Sequence, residues 1–228
     1  MKTKGNSFKL EIKNQVKNKA ELIMYGDVSP WDISAERLQD QLKNLDSSVT
    51  ELDVRMFSGG GDVFEGIAIY NILKRSDKKI TMYIDGLAAS IASVIILAAD
   101  EIIIGEGSQI MIHAPWCFCV GNSSELQSTI DRLEMTEREM VKIYQRVTGL
   151  SELEITNMMA TETWFNDDQA IEFGFATAKA EINKGFNIAA SVKGCDWIKK
   201  KELAKVNLEF KNKIQDNINK FDDILARK

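Results

Sequence analysis

Three observations predict an α/β fold with a mostly parallel sheet. Short apolar runs alternate with polar residues, longer stretches between them are apolar at helical spacing, and glycines punctuate the joints. Glu21–Tyr25 reads as a strand closed by a turn at Gly26-Asp27. After Pro30, Leu38, Leu42 and Leu45 recur as one face of a helix. Leu52, Val54 and Met56 mark a second strand that ends in Ser58-Gly59-Gly60-Gly61, and a helix follows with Phe64, Ile67, Ala68 and Ile72 on its apolar face. Lys79–Ile84 alternates as a third strand, which Gly86 is expected to turn into a buried helix. Two short strands, 102–104 and 109–112, flank Gly105 and Gly107.

The second half is more helical. Ser123–Val147 forms one long amphipathic pattern through Leu126, Ile130, Leu133, Met140 and Ile143, stopped at Thr148-Gly149. Ser151 with Glu154, and Asn166 with Gln169, have the spacing of helix-starting capping boxes, and Gly174 ends the second of those helices. Beyond about residue 185 the character changes. A lysine-rich stretch, Ser191–Lys201, reads as a linker, and Phe210, Ile214, Ile218, Phe221 and Leu225 form an amphipathic stripe. The expected organisation is one domain over 1–185 and a helical extension over 186–228.

Composition narrows the function. The 228 residues are 44% hydrophobic and 28% charged, an ordinary balance for a folded domain. A net charge of −5 argues against a general nucleic-acid binder, although residues 193–228 carry ten Lys/Arg against six Asp/Glu. Three cysteines, Cys117, Cys119 and Cys195, make no fully paired disulfide framework, so a reducing cytoplasm is expected. The first residues lack the apolar core of a signal peptide. The uncharged, mostly apolar stretch Gly86–Ala99 is about 14 residues and too short to span a bilayer, so no stable membrane insertion is expected.

Chemistry concentrates in three places. In Gly86-Leu87-Ala88-Ala89-Ser90-Ile91-Ala92-Ser93, small residues surround Ser90 where a strand passes into a helix, a setting that exposes a nucleophile beside free backbone N–H groups. Small residues at such a joint equally suit close helix packing. His113, the only histidine, follows the apolar run Gln109–Ile112. A serine needs an adjacent base to become nucleophilic, and an imidazole base from this chain has to be His113. Alternatively, His113 is a satisfied turn residue. In Phe57-Ser58-Gly59-Gly60-Gly61-Asp62-Val63, the glycines let backbone N–H groups approach a substrate closely. That loop lacks the Gly-Lys-Ser/Thr ending of a phosphate-binding loop, which leaves an oxyanion hole or a plain tight turn. Cys117-x-Cys119 after His113 does not match a closed zinc site, so no metal or other cofactor is expected, and alternation on a hairpin strand explains the cysteines.

Together these segments resemble the proteolytic subunit of the Clp protease. The matching pieces are Tyr25-Gly26-Asp27, Phe57–Val63 leading into Gly66-Ile67-Ala68-Ile69-Tyr70, Gly86–Ser93, Met111-Ile112-His113-Ala114-Pro115, and Asp168–Gly174. The resemblance spans about residues 20–180 in colinear order. It implies a ββα superhelix shared with crotonases, with the long helix projecting to stack two heptameric rings into a tetradecamer. It implies Ser90 as nucleophile, His113 as base and the backbone N–H groups of Gly60 and Ile91 as oxyanion hole. Polypeptide substrates and an AAA+ unfoldase partner are further implications.

One position departs from the family pattern. The family's catalytic aspartate lies two residues before a phenylalanine, here Phe165, so the matching position is Thr163. Glu162 is the nearest acid, with Asp167 and Asp168 just beyond. Loss of the orienting acid in a serine protease can cost on the order of 10⁴ in kcat. The Thr-Trp-Phe variant and basic C-terminal extension resemble the divergent phage-encoded branch associated with head maturation, implying capsid or scaffold proteins as substrates. Two other readings remain at this level. Thr163 suits a ring-forming scaffold that has lost its chemistry, and the fold suits a crotonase-type acyl-coenzyme A enzyme, which needs no serine–histidine pair.

Overall fold

The computed structural model describes residues 10–16 and 18–181. Strands alternate with helices as expected. In chain order they are β1 (Leu10–Val16), β2 (Lys19–Tyr25), α1 (Ala35–Lys43), β3 (Glu51–Ser58), α2 (Val63–Lys74), β4 (Lys79–Ala89) and α3 (Ile91–Ile95). A single 3-10 turn, Ile96–Ala98, precedes β5 (Glu101–Ile104), β6 (Gln109–Ile112), α4 (Ser123–Thr148), α5 (Glu152–Ala160), β7 (Thr163–Phe165), α6 (Asp167–Glu172) and β8 (Ala178–Lys179). The linker and amphipathic stripe expected after residue 185, with Cys195, lie outside the described residues.

The sheet runs β1-β2-β3-β4-β5-β8, with β6 branching from β4 and β7 pairing β6. β2 through β5 are parallel, and helical crossovers join β2 to β3, β3 to β4 and β4 to β5, as the βαβ reading requires. Alternation fixes the faces. Leu22, Met24, Val54, Met56, Met82 and Ile84 point into the core with Leu38 of α1 and Ile69 and Leu73 of α2. The opposite face carries polar pairs, including Lys19–Asp53 at 2.9 Å and the Arg55–Asp85 ion pair. Tyr25 donates its hydroxyl to Asp85 at 2.5 Å, and burial beside that carboxylate pushes the phenol up to about 12.

Two sequence expectations need correction here. Strand β4 does not give way to a helix at Gly86 but continues to Ala89. Ile84 pairs with Met56 and Ala88 with Ser58, so β4 spends two extra residues at Asp85–Leu87. Beyond this bulge the strand leaves β5 and pairs with β6. The helical stretch is therefore short, Ile91–Ala98, and wholly buried. In α2 the buried residues are Gly66, Ile69, Tyr70 and Leu73, whereas Phe64 is 72% exposed. That helix is apolar on nearly every side, so spacing alone does not single out the inward face.

The long helix α4 has two characters. Its root is anchored through Met140, Val141 and Tyr144, all buried, while Leu126, Ile130 and Met135 in its first half are exposed. At 26 residues it is about 39 Å long. An Asn122–Glu125 capping box starts it and left-handed Gly149 ends it. Both capping boxes expected from the sequence, Ser151–Glu154 and Asn166–Gln169, are formed. Phe165, Phe173 and Phe175 pack with Tyr144 beneath them, ring centroids 4.7–5.8 Å apart. None of the helices among the described residues is long and apolar enough to cross a membrane.

Candidate active site

The end of β4 delivers Ser90. Ala89 pairs with Met111 of β6, and the Ser90 N–H donates to the Met111 carbonyl at 2.9 Å. The backbone then turns sharply, with Ser90 at φ 55 and ψ −129, before α3 begins at Ile91. This left-handed φ at a non-glycine residue is strained and lifts the hydroxyl off the sheet. The turn is braced from below. Buried Ser93 donates its N–H (2.9 Å) and hydroxyl (2.5 Å) to the Ser90 carbonyl. Its hydroxyl is also 2.7 Å from the Tyr144 hydroxyl of α4, a phenol whose pKa burial raises.

β6 delivers His113 immediately after Ile112. Because β4 and β6 are hydrogen-bonded neighbours, their ends meet, and His113 Nε2 lies 2.8 Å from Ser90 Oγ. The imidazole is half-buried, and that burial pushes its pKa below 6.5 while the charge of Glu162 acts to raise it. A base with a lowered pKa remains neutral to lower pH. For chemistry that requires neutral His113, kcat/KM should therefore fall on the acid side with a midpoint below pH 6.5, measured as a pH profile on a small ester or peptide.

The glycine loop between β3 and α2 closes the other side. A Cβ on Gly60 would stand 2.6 Å from Ser90 Cβ and 2.8 Å from the Ala89 carbonyl oxygen. Only glycine permits this approach, and Gly60 also has φ 97. The loop is stapled to the chain after β2: Val28 N–H donates to the Gly60 carbonyl at 2.8 Å and Asp62 N–H to the Val28 carbonyl at 2.7 Å. Gly60 N–H donates to Ser58 Oγ at 3.1 Å. Ile91 is the first residue of α3, where a backbone N–H has no intrahelical acceptor. Ser90, His113, Gly60 and Ile91 are thus all brought together.

The third position is occupied unexpectedly. Thr163 pairs with Ile112 but turns its hydroxyl away, donating to the Met158 carbonyl at 2.8 Å. It does not orient the imidazole. Glu162 Oε2 instead lies 3.9 Å from His113 Nδ1. Asp167 and Asp168 are both engaged by Lys179, at 3.0 and 2.6 Å. Cys117 and Cys119 are free and exposed, on an irregular segment and not the expected hairpin strand. Sequence reasoning also missed Ser93 and Tyr144, which read as ordinary small-residue and helix positions.

Comparison with known proteins is consistent with this geometry. A sequence model of the family described as Clp protease matches residues 4–181. The chain is 28% identical over 160 residues to ATP-dependent Clp protease proteolytic subunit 3, chloroplastic, of Arabidopsis thaliana, covering 67% of this chain and 51% of that protein. It therefore spans about half the length of that relative. ATP-dependent Clp protease proteolytic subunit 1 of Streptomyces avermitilis is 27% identical, with 66% of this chain and 71% of that protein covered. Among solved structures, a point mutant of ClpP1 from Listeria monocytogenes superposes with a TM-score of 0.63 at 21% identity, over 72% of this chain and 92% of its own.

Proposed function

This chain belongs to the Clp protease family, and from that premise we propose that it is a serine endopeptidase working inside a self-compartmentalised homo-oligomer. The observation that carries the reading is the 2.8 Å contact between Ser90 Oγ and His113 Nε2. In the proposed reaction Ser90 Oγ attacks the scissile carbonyl carbon as His113 Nε2 takes its proton. The resulting oxyanion meets the N–H groups of Ile91 and Gly60, the latter exchanging its bond to Ser58 for one to the charged oxygen. His113 then gives the proton to the leaving amine, and water releases the acyl group by the same steps in reverse. No cofactor enters this scheme.

Assembly is the second part of the proposal. The first half of α4 presents exposed Leu126, Ile130 and Met135, residues that suit burial against other copies. Two stacked heptameric rings are the arrangement we propose, in the cytoplasm, with an AAA+ unfoldase feeding unfolded polypeptide. The "ATP-dependent" names of the relatives support such a partner. The Thr163-Trp164-Phe165 variant and the basic stretch 193–228 support phage capsid or scaffold proteins as substrates. The peptidase domain is proposed to end near residue 185, with 186–228 as an appended linker and helix.

A fluorophosphonate probe tests this directly. The assembled protein should label at Ser90, and His113→Ala should slow labelling at least about a thousandfold. Light scattering should give a large multiple of 25.6 kDa. An assembled protein that takes no label would instead be the catalytically inert scaffold. An unlabelled protein that turned over an acyl-coenzyme A would be the crotonase-type enzyme.

A further inference from the structure

We propose that Glu162 is the carboxylate that positions His113 and stabilises its protonated form, one residue before the place where the family pattern puts an acid. Four observations carry this. Glu162 has φ 52, so the backbone adopts a left-handed conformation at a non-glycine residue just where the chain passes the imidazole. Its carboxylate faces the nitrogen that Ser90 does not use, with Oε2 at 3.9 Å from Nδ1. The other oxygen, Oε1, accepts the indole N–H of Trp164 at 3.2 Å, which holds the carboxylate beside the ring. The competing groups are occupied elsewhere: Thr163 by the Met158 carbonyl, Asp167 and Asp168 by Lys179.

At 3.9 Å the pair is an ion-pair contact, and a small rotation of the glutamate side chain closes it to a hydrogen bond as His113 gains its proton. Glutamate has one methylene more than aspartate, which lets a side chain reach the imidazole from the neighbouring position. The carboxylate is 57% exposed, so water screens it, and its effect is smaller than that of a buried triad acid. The charge of Glu162 acts to raise the His113 pKa, against the burial that lowers it.

His113 is the only histidine of the chain, so its ring gives a single titration curve in tag-free protein labelled at the histidine ring carbon and followed by NMR. In Glu162→Gln the midpoint should fall below that of the unsubstituted protein. Fluorophosphonate labelling should slow by about tenfold to a hundredfold. The acid limb of kcat/KM should move to lower pH. Glu162→Asp should recover part of the midpoint, and Trp164→Phe should give a smaller loss of the same sign. An unchanged midpoint and labelling rate in Glu162→Gln would overturn the proposal. The rate effects rest on the serine-peptidase reading but the titration does not. A fallen midpoint in a protein that never labels would sink that reading and leave the Glu162–His113 pairing standing.

Discussion

Ser90→Ala should abolish fluorophosphonate labelling and lower peptide hydrolysis by about 10⁶ in kcat, because the serine–histidine pair acts as a unit and loses its function with either member. The fold should survive. The Ser90 N–H to Met111 and the two bonds from Ser93 to the Ser90 carbonyl use backbone atoms that alanine retains. The hydroxyl that is lost bonds to His113, whose imidazole is half-buried and keeps access to water. Thermal unfolding and light scattering of the variant should therefore match the parent closely. Ser90→Gly is the informative companion. It is equally inactive, yet it relaxes the left-handed backbone at φ 55, so it should be about 0.5–2 kcal/mol more stable than Ser90→Ala. Persistent labelling of Ser90→Ala would place the nucleophile elsewhere.

Gly60→Ala should cause a large loss by another route. The new methyl would need to share space with Ser90 Cβ at 2.6 Å and the Ala89 carbonyl oxygen at 2.8 Å, and both belong to the strained turn that presents the Ser90 hydroxyl. Neither neighbour is the loose end of a flexible side chain, so the glycine loop and the turn must separate. At φ 97 the alanine is strained wherever it settles. A displacement of about 1 Å at a reacting atom costs on the order of a hundredfold. We therefore expect kcat/KM to fall at least about a hundredfold, with a destabilisation of roughly 2–4 kcal/mol in denaturant titration. A Gly60→Ala protein as stable and as readily labelled as the parent would show that the loop does not press on Ser90.

Legibility in the sequence follows the physics of each segment. β3 and the first half of β4 are readable because one face is buried and the other is mostly polar, whereas β2 is readable as a short apolar run closed by a turn, in which burial alternates but polarity does not. The second half of β4 reads as helix because Gly86–Ala89 is small and uncharged, leaving no contrast between faces. β7 and β8, at three and two residues, are shorter than any pattern that reveals them. Ser90, His113 and Gly60 are recognisable through order and flanking residues, since their meeting depends on strand ends that parallel pairing brings together. Glu162 can be named from the sequence only as the nearest acid. What selects it is its own left-handed backbone and the Trp164 indole, and neither is encoded in residue spacing.

The β4–β6 ladder has a consequence for how this site can change over generations. Leu87, Ala88 and Ala89 pair with Gln109, Ile110 and Met111, so one stretch of three rungs indexes Ser90 to His113. Lengthening the Gly105–Ser108 connection moves neither end of that ladder. Inserting one residue within β6 would turn the imidazole to the opposite face of the sheet. Drift by substitution is therefore open to this region, whereas a change of length is tolerated only on the loop side of Gln109. Relatives that differ in loop size here should still count the same number of residues from the first β6 rung to the histidine.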